Sequence, residues 1–273
     1  MSKTIHVNGF SMAYTDEGAG QPLLFVHGYP LNRRLWAPQA LALSGQYRVL
    51  AVDLRGHGES DPVPGPYNMD LLADDLNAFL DALHIDQPVV LCGLSMGGYV
   101  AFAFWRRYAA RLCGLILTAT RAAADSDEAR RARDAAIETA RTRGVSAIVE
   151  GMLPKMLAPL SYEQRPELVQ QVRQILLATS LEGVLGDLAA LRDRVDSTAT
   201  LSQINVPVMI VHGREDQIIP LKEAEGMAAQ LRRAELQVLS NAGHLPNLEN
   251  TPVFNQAVRQ FVTDLNSDPE TME

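Results

Sequence analysis

The chain has 273 residues, a formal net charge of −8, and 47% hydrophobic content. That is enough to bury one large α/β core carrying an insertion. The acidic balance, with no basic run, argues against a nucleic-acid partner or an anionic membrane surface. In chain order, Met1-Ser2-Lys3-Thr4-Ile5-His6-Val7 alternates like a strand rather than placing a basic region before an apolar signal core. Val7-Asn8-Gly9-Phe10 reads as a hairpin with Asn8-Gly9 as its two-residue turn. Strands follow near residues 23–26, 47–52, 89–93, 112–118, 206–213 and 235–239, with helical patterns between them, notably at 70–83 and 96–108. Strands alternating with helices predict a mostly parallel, eight-stranded sheet with helices on both faces. No apolar stretch reaches the length of a membrane span, and two cysteines suit a reducing compartment, so a cytoplasmic protein without membrane insertion is expected.

Residues 122–202 break the alternation. Asp125 with Glu128 has the spacing of a capping box for a charged helix running to Gly144. Further helical segments follow near 145–153, 166–180 and 185–196, and none of the block reads as a strand. The expectation is a core domain from residues 1–121 and 203–273, with 122–202 as a helical lid. Met152, Leu153, Met156, Leu157, Ile175 and Leu176 are its candidate pocket residues, with plain packing onto the core as the alternative reading of the same helical spacing.

Gly93-Leu94-Ser95-Met96-Gly97 closes one apolar run and opens another. A strand that turns sharply into a helix, with serine on the bend, lifts the hydroxyl clear of the backbone. The positions two before and two after must then be small, or strand and helix collide. Alone the pattern is weak: with Gly and Ser each at about 7% of residues, it arises by chance in roughly one chain in ten of this length.

A serine hydroxyl needs a histidine to take its proton, and the histidine needs a carboxylate to fix its tautomer. After the apolar run Val208-Met209-Ile210-Val211-His212-Gly213 comes the loop Arg214-Glu215-Asp216; after residues 235–239 comes Asn241-Ala242-Gly243-His244. Both loops leave carboxyl ends of strands, where parallel sheets carry their sites. Ser95 is therefore assigned as nucleophile, His244 as base and Asp216 as its orienting acid, with Glu215, Asp187 and Asp193 as rival acids. The backbone N–H groups of Met96 and of Tyr29, in the turn His27-Gly28-Tyr29-Pro30, are the expected oxyanion donors. His27, His57 and His212 read as structural, and no spacing suggests a metal site.

As a series, His27-Gly28-Tyr29-Pro30, Asp53-Leu54-Arg55-Gly56-His57-Gly58-Glu59-Ser60, the stretch from Gly93 to Gly98, Gly213-Arg214-Glu215-Asp216 and Gly243-His244 resemble the motifs of the α/β-hydrolase fold superfamily, in order. The pattern looks like its carboxylesterase and enol-lactonase branch. The likeness covers residues 22–120 and 203–262. It implies hydrolysis of a small-molecule ester or lactone through an acyl-enzyme, without a cofactor. Serine rather than aspartate at position 95 argues against the dehalogenase and epoxide-hydrolase branches. Tyr29, Trp36, Met152 and Met156 are the candidate substrate-binding side chains, Trp36 either lining the pocket or packing on the first helix. The alternatives are a carbon–carbon hydrolase or hydroxynitrile lyase with the same triad, or a receptor-like binder with slow turnover. A monomer or homodimer is expected.

Overall fold

The computed structural model describes residues 2–267. Strands β1 (Lys3–Val7) and β2 (Phe10–Glu17) form the N-terminal hairpin. Its turn residues Asn8 and Gly9 have φ of 44° and 84°, the positive pair that a two-residue turn matching strand twist requires. Six more strands follow: β3 (Pro22–Val26), β4 (Arg48–Val52), β5 (Val89–Leu94), β6 (Leu112–Thr118), β7 (Val208–Gly213) and β8 (Ala234–Leu239). They lie in the order β1-β2-β4-β3-β5-β6-β7-β8. β2 runs antiparallel to β1 and β4, and the remaining neighbours are parallel. This is the eight-stranded, mostly parallel sheet that the alternation predicts.

The helices are α1 (Ala37–Leu43), α2 (Met69–Ala82), α3 (Met96–Tyr108), α4 (Asp127–Met152), α5 (Pro159–Gln164), α6 (Pro166–Leu177), α7 (Leu181–Asp193), α8 (Thr198–Leu201), α9 (Leu221–Ala228), α10 (Pro246–Glu249) and α11 (Thr251–Ser267). The two-residue period of the strands sorts the core into two layers. Leu24, Val26, Leu50 and Val52 face one cluster with Leu72, Leu76 and Phe79 of α2 and Phe102 of α3. Leu23, Phe25, Val49 and Ala51 face the other, with Leu43 of α1 and Phe254, Val258 and Phe261 of α11. Among the described residues no single helix is long and apolar enough to cross a membrane.

The helices α4–α7 form an insertion between β6 and β7. Three hydrogen bonds seat it over the loops that leave β3 and β4: Asn32 Nδ2 to Ile175 O (2.9 Å), Thr179 Oγ1 to Pro30 O (2.7 Å) and Ser180 Oγ to Gly56 O (2.8 Å). α4 breaks at Gly144, where φ is 76° and ψ is 179°, a conformation open essentially to glycine alone. The charged helix therefore stops where its sequence indicates. Its start differs from expectation: Ser126 is the cap, its hydroxyl accepting from Ala129 N–H at 3.2 Å. Asp125 does not cap, because three arginines claim its carboxylate.

Candidate active site

The bend between β5 and α3 carries Ser95 at φ 54° and ψ −112°, a strained conformation for a residue with a side chain. Its surroundings hold it there. Ser95 N–H donates to Thr118 O (2.8 Å), and Thr120 Oγ1 donates to Ser95 O (2.8 Å). The flanking residues have to be glycine. A Cβ on Gly93 would lie 2.2 Å from Gly97 O, and one on Gly97 would lie 2.4 Å from Val26 O.

Across from the bend, His244 Nδ1 donates to Asp216 Oδ2 at 2.8 Å. Asp216 is itself fixed by N–H groups of Ile218 (2.8 Å) and Ile219 (3.0 Å) on its Oδ1. Burial alone would raise the Asp216 pKa, but the charge and hydrogen bond of His244 and these two N–H donors hold it below the usual carboxylate value. With Nδ1 donating to the carboxylate, the neutral His244 ring keeps Nε2 as an acceptor. The rival acids lie elsewhere. Glu215 Oε1 accepts from Asn241 N–H (3.2 Å), and Asp193 pairs with Arg192 at the surface (2.7 Å). Asp187 Oδ2 lies 2.9 Å from His57 Nε2, both side chains being fully buried. That contact lacks hydrogen-bond alignment, and Asp187 Oδ1 has no partner.

His27, His57 and His212 each bond to backbone. His27 Nδ1 donates to Gly28 O (2.9 Å), and its Nε2 accepts from Leu54 N–H (3.0 Å). Burial and the neighbouring His57 hold its pKa well below the ordinary value, so it is neutral. His57 Nδ1 donates to Arg55 O (2.9 Å), and His212 Nε2 donates to Ile219 O (2.9 Å).

Ser95 and His244 line one cavity of about 70 Å³. Tyr29, Met96 and Met152 line it too, and so do Tyr99, Arg121, Arg133, Leu191, Ile218 and Ile219. Trp36 and five of the six candidates from the insertion do not line it. Trp36 is fully buried in the core, its ring 5.0 Å from that of Phe25 and 6.1 Å from that of Phe254. Met156 is likewise buried, and its carbonyl accepts from His244 N–H (3.1 Å). Leu153, Leu157, Ile175 and Leu176 pack into the same core layer as Trp36. A larger groove of about 550 Å³ lies between residues 64–66 and helices α4 and α7, and contains neither Ser95 nor His244. Among the described residues no group of three or more His, Cys, Asp or Glu side chains is placed to hold a metal ion.

Three features at the site had no local signature. Arg121 and Arg133 reach the cavity wall from either side of Asp125. Glu249, on α10, accepts from Gly243 N–H (2.6 Å), Ala158 N–H (2.7 Å) and Ser161 Oγ (2.6 Å), tying the His244 loop to the insertion. The His57–Asp187 contact joins the loop after β4 to α7. Only the capping-box spacing had singled out Asp125, and for another role.

A family model described as "alpha/beta hydrolase fold" matches residues 21–251. The chain is 33% identical over 253 residues to the AB hydrolase superfamily protein YisY of Bacillus subtilis (strain 168), covering 90% of this chain and 93% of the relative. A thermophilic esterase from Thermogutta terrifontis, solved with malate bound, superposes with a TM-score of 0.93 at 38% identity, over 97% of this chain and 99% of the other. The enol-lactonase from Burkholderia xenovorans LB400 superposes with a TM-score of 0.89 at 29% identity, over 96% and 100%.

Proposed function

The chain belongs to the α/β-hydrolase fold family, and on that premise we propose that it hydrolyses carboxylic esters or lactones through a Ser95–His244–Asp216 triad. The observation that carries this reading is the strained Ser95 sharing one cavity with a histidine whose far nitrogen is 2.8 Å from Asp216. His244 Nε2 takes the Ser95 proton as Oγ attacks the carbonyl carbon. The tetrahedral oxyanion is received by the N–H groups of Met96, at the start of α3, and Tyr29. Collapse expels the alcohol, which leaves with the proton from His244. Water, activated by the same nitrogen, then releases the acid. Asp216 stays ionised throughout and stabilises the imidazolium. Residues 122–202 act as the lid over this reaction. Esterases and enol-lactonases among the similar structures support the reaction class.

The test is mass spectrometry after fluorophosphonate treatment, alongside steady-state hydrolysis of ethyl esters from acetate to octanoate. A single adduct on Ser95 with repeated turnover is expected. D216N should lower kcat by about 10⁴ with the melting temperature nearly unchanged. Folded protein that neither labels nor turns over would overturn the reading; labelling without turnover would replace it with a binding role.

A further inference from the structure

We infer that the substrate of this site carries a carboxylate besides its scissile bond, and that Arg133 and Arg121 receive it. The inference rests on the hydrolase reading and adds the chemistry of the group that the cavity selects.

Part of the lining that Ser95 and His244 share is built from donors. Arg121 and Arg133 both contribute to it, and their nearest carboxylate is shared. Asp125 Oδ1 pairs with Arg121 Nη2 (2.7 Å) and with Arg194 Nη1 (2.5 Å), while its Oδ2 pairs with Arg133 Nε (3.0 Å). One carboxylate among three guanidiniums leaves the cluster with an excess of two positive charges. Glu223 reaches Arg121 only through its field. In a chain with a net charge of −8, this cationic patch is not a by-product of overall basicity.

The pairing with Asp125 does not use the arginines up. Arg133 meets it through Nε alone, so both terminal amino groups remain for a ligand. Arg121 Nε is buried and has no acceptor among the described residues. Tyr29 supplies a further donor. It is 6% exposed, lines the cavity, and its hydroxyl oxygen has no hydrogen-bond partner among the described residues. Burial and the charge of Asp187 push the phenol pKa up, so the hydroxyl keeps its proton to donate. The Arg121 and Arg133 side chains are 24% and 29% exposed, but the buried Arg121 Nε and Tyr29 hydroxyl stay incomplete until an acceptor arrives. Met96, Met152, Ile218 and Ile219 make the rest of the lining apolar, which strengthens the attraction for a single anion. The planar guanidinium fork suits a carboxylate in particular. The small volume favours short ω-carboxy acids over long acyl chains.

The experiment pairs monoethyl succinate, glutarate and adipate with their neutral ω-amide analogues, and reads acid release at constant pH in a buffer without anionic ligands. At least one acid should exceed its amide in kcat/KM by about tenfold or more, the size of a charge-assisted hydrogen bond. R133Q should abolish that preference, R133K should keep part of it, and R131Q, which removes a charge from the exposed side of the same helix, should keep it all. Equal rates for acid and amide, or an unchanged preference in R133Q, overturn the inference and leave the hydrolase reading intact. If no ester is cleaved and Ser95 does not label, that reading falls, and calorimetric titration with glutarate still decides the subsite. Binding weakened about tenfold in R133Q sustains it, and equal or absent binding ends it. Should R133Q fail to fold, R133K and Tyr29→Phe carry the same comparison.

Discussion

Beyond the hydrogen bonds to the loops after β3 and β4, two further joins hold the insertion by different chemistry. At the α5 end the join is directional, one carboxylate gathering backbone and hydroxyl donors. Glu249, half-buried, collects two backbone N–H groups and a hydroxyl, and His244 N–H reaches back to Met156 O at 3.1 Å. On the α4 and α7 side the join is ionic. Asp125 binds three arginines, and Asp187 meets His57 in a fully buried contact. Short directional hydrogen bonds specify position, and here they bear on the loop that carries His244. Net charge specifies what a cavity attracts, and here Arg121 and Arg133 line the cavity that holds Ser95. One attachment therefore governs geometry and the other governs selection.

Cutting the Glu249 join should have the largest effect. Glu249→Ala removes the acceptor from three donors at once. At about 1–3 kcal/mol for each donor left dry, stability in urea unfolding should fall by about 3 kcal/mol or more. The ester kcat should fall about 10–100-fold, as His244 loses its register against Ser95. E249Q, which keeps one acceptor oxygen, should lose less of both. An E249A variant that is less stable but turns over normally would break the comparison, because the clamp would then serve folding alone.

Cutting the ionic join at Asp187 should cost less and should depend on pH. D187N keeps the shape and an acceptor, so the loss should be about 2 kcal/mol at pH 6. Burial opposes a charge on His57, yet the field and contact of Asp187 raise its pKa above the ordinary value. A raised folded-state pKa contributes stability that is fully present below about pH 6.5 and is lost as pH rises through the folded value. The gap between wild type and D187N should therefore narrow from pH 6 to pH 8 in urea titrations. A gap that widens would mean the pair is neutral and the join is steric.

What was legible in the sequence was what local turn chemistry encodes. The Asn8-Gly9 hairpin, the small residues around Ser95 and the glycine that ends the charged part of α4 each announce a backbone conformation within a few residues. Asp216 and His244 could be placed because each follows an apolar strand by a few positions. Trp36 and Met156 stayed open between two readings because an apolar residue near a site looks the same whether it faces a pocket or the layer beneath. The charged features were hidden by distance. Arg194 lies 69 positions from Asp125, and Ala158 lies 91 from Glu249, so no window along the chain contains both partners. Asp187 was visible as an acid and set aside as a triad member, but its contact with His57 is a product of folding.

The smallest expected effect uses His27 as an internal reference for the ionic join. Its ring centroid is 4.7 Å from that of His57, yet both its nitrogens are engaged by core backbone and none of its partners belongs to the insertion. Burial, with the charge of His57, depresses its pKa well below the ordinary value. The unfolded chain therefore takes up a proton below about pH 6.5 that the folded protein refuses. Stability drains away on acidification by about 1.4 kcal/mol per pH unit for that one proton. H27Q, which cannot titrate, should be less stable than wild type at pH 7, and the gap should close as pH falls from about 6.5 to 5. The two neighbouring histidines thus give gaps that close in opposite directions, D187N toward alkali and H27Q toward acid. Parallel slopes in the two variants would mean that the two rings titrate as one unit, and the ionic attachment would then extend through His27 to the turn that carries Tyr29.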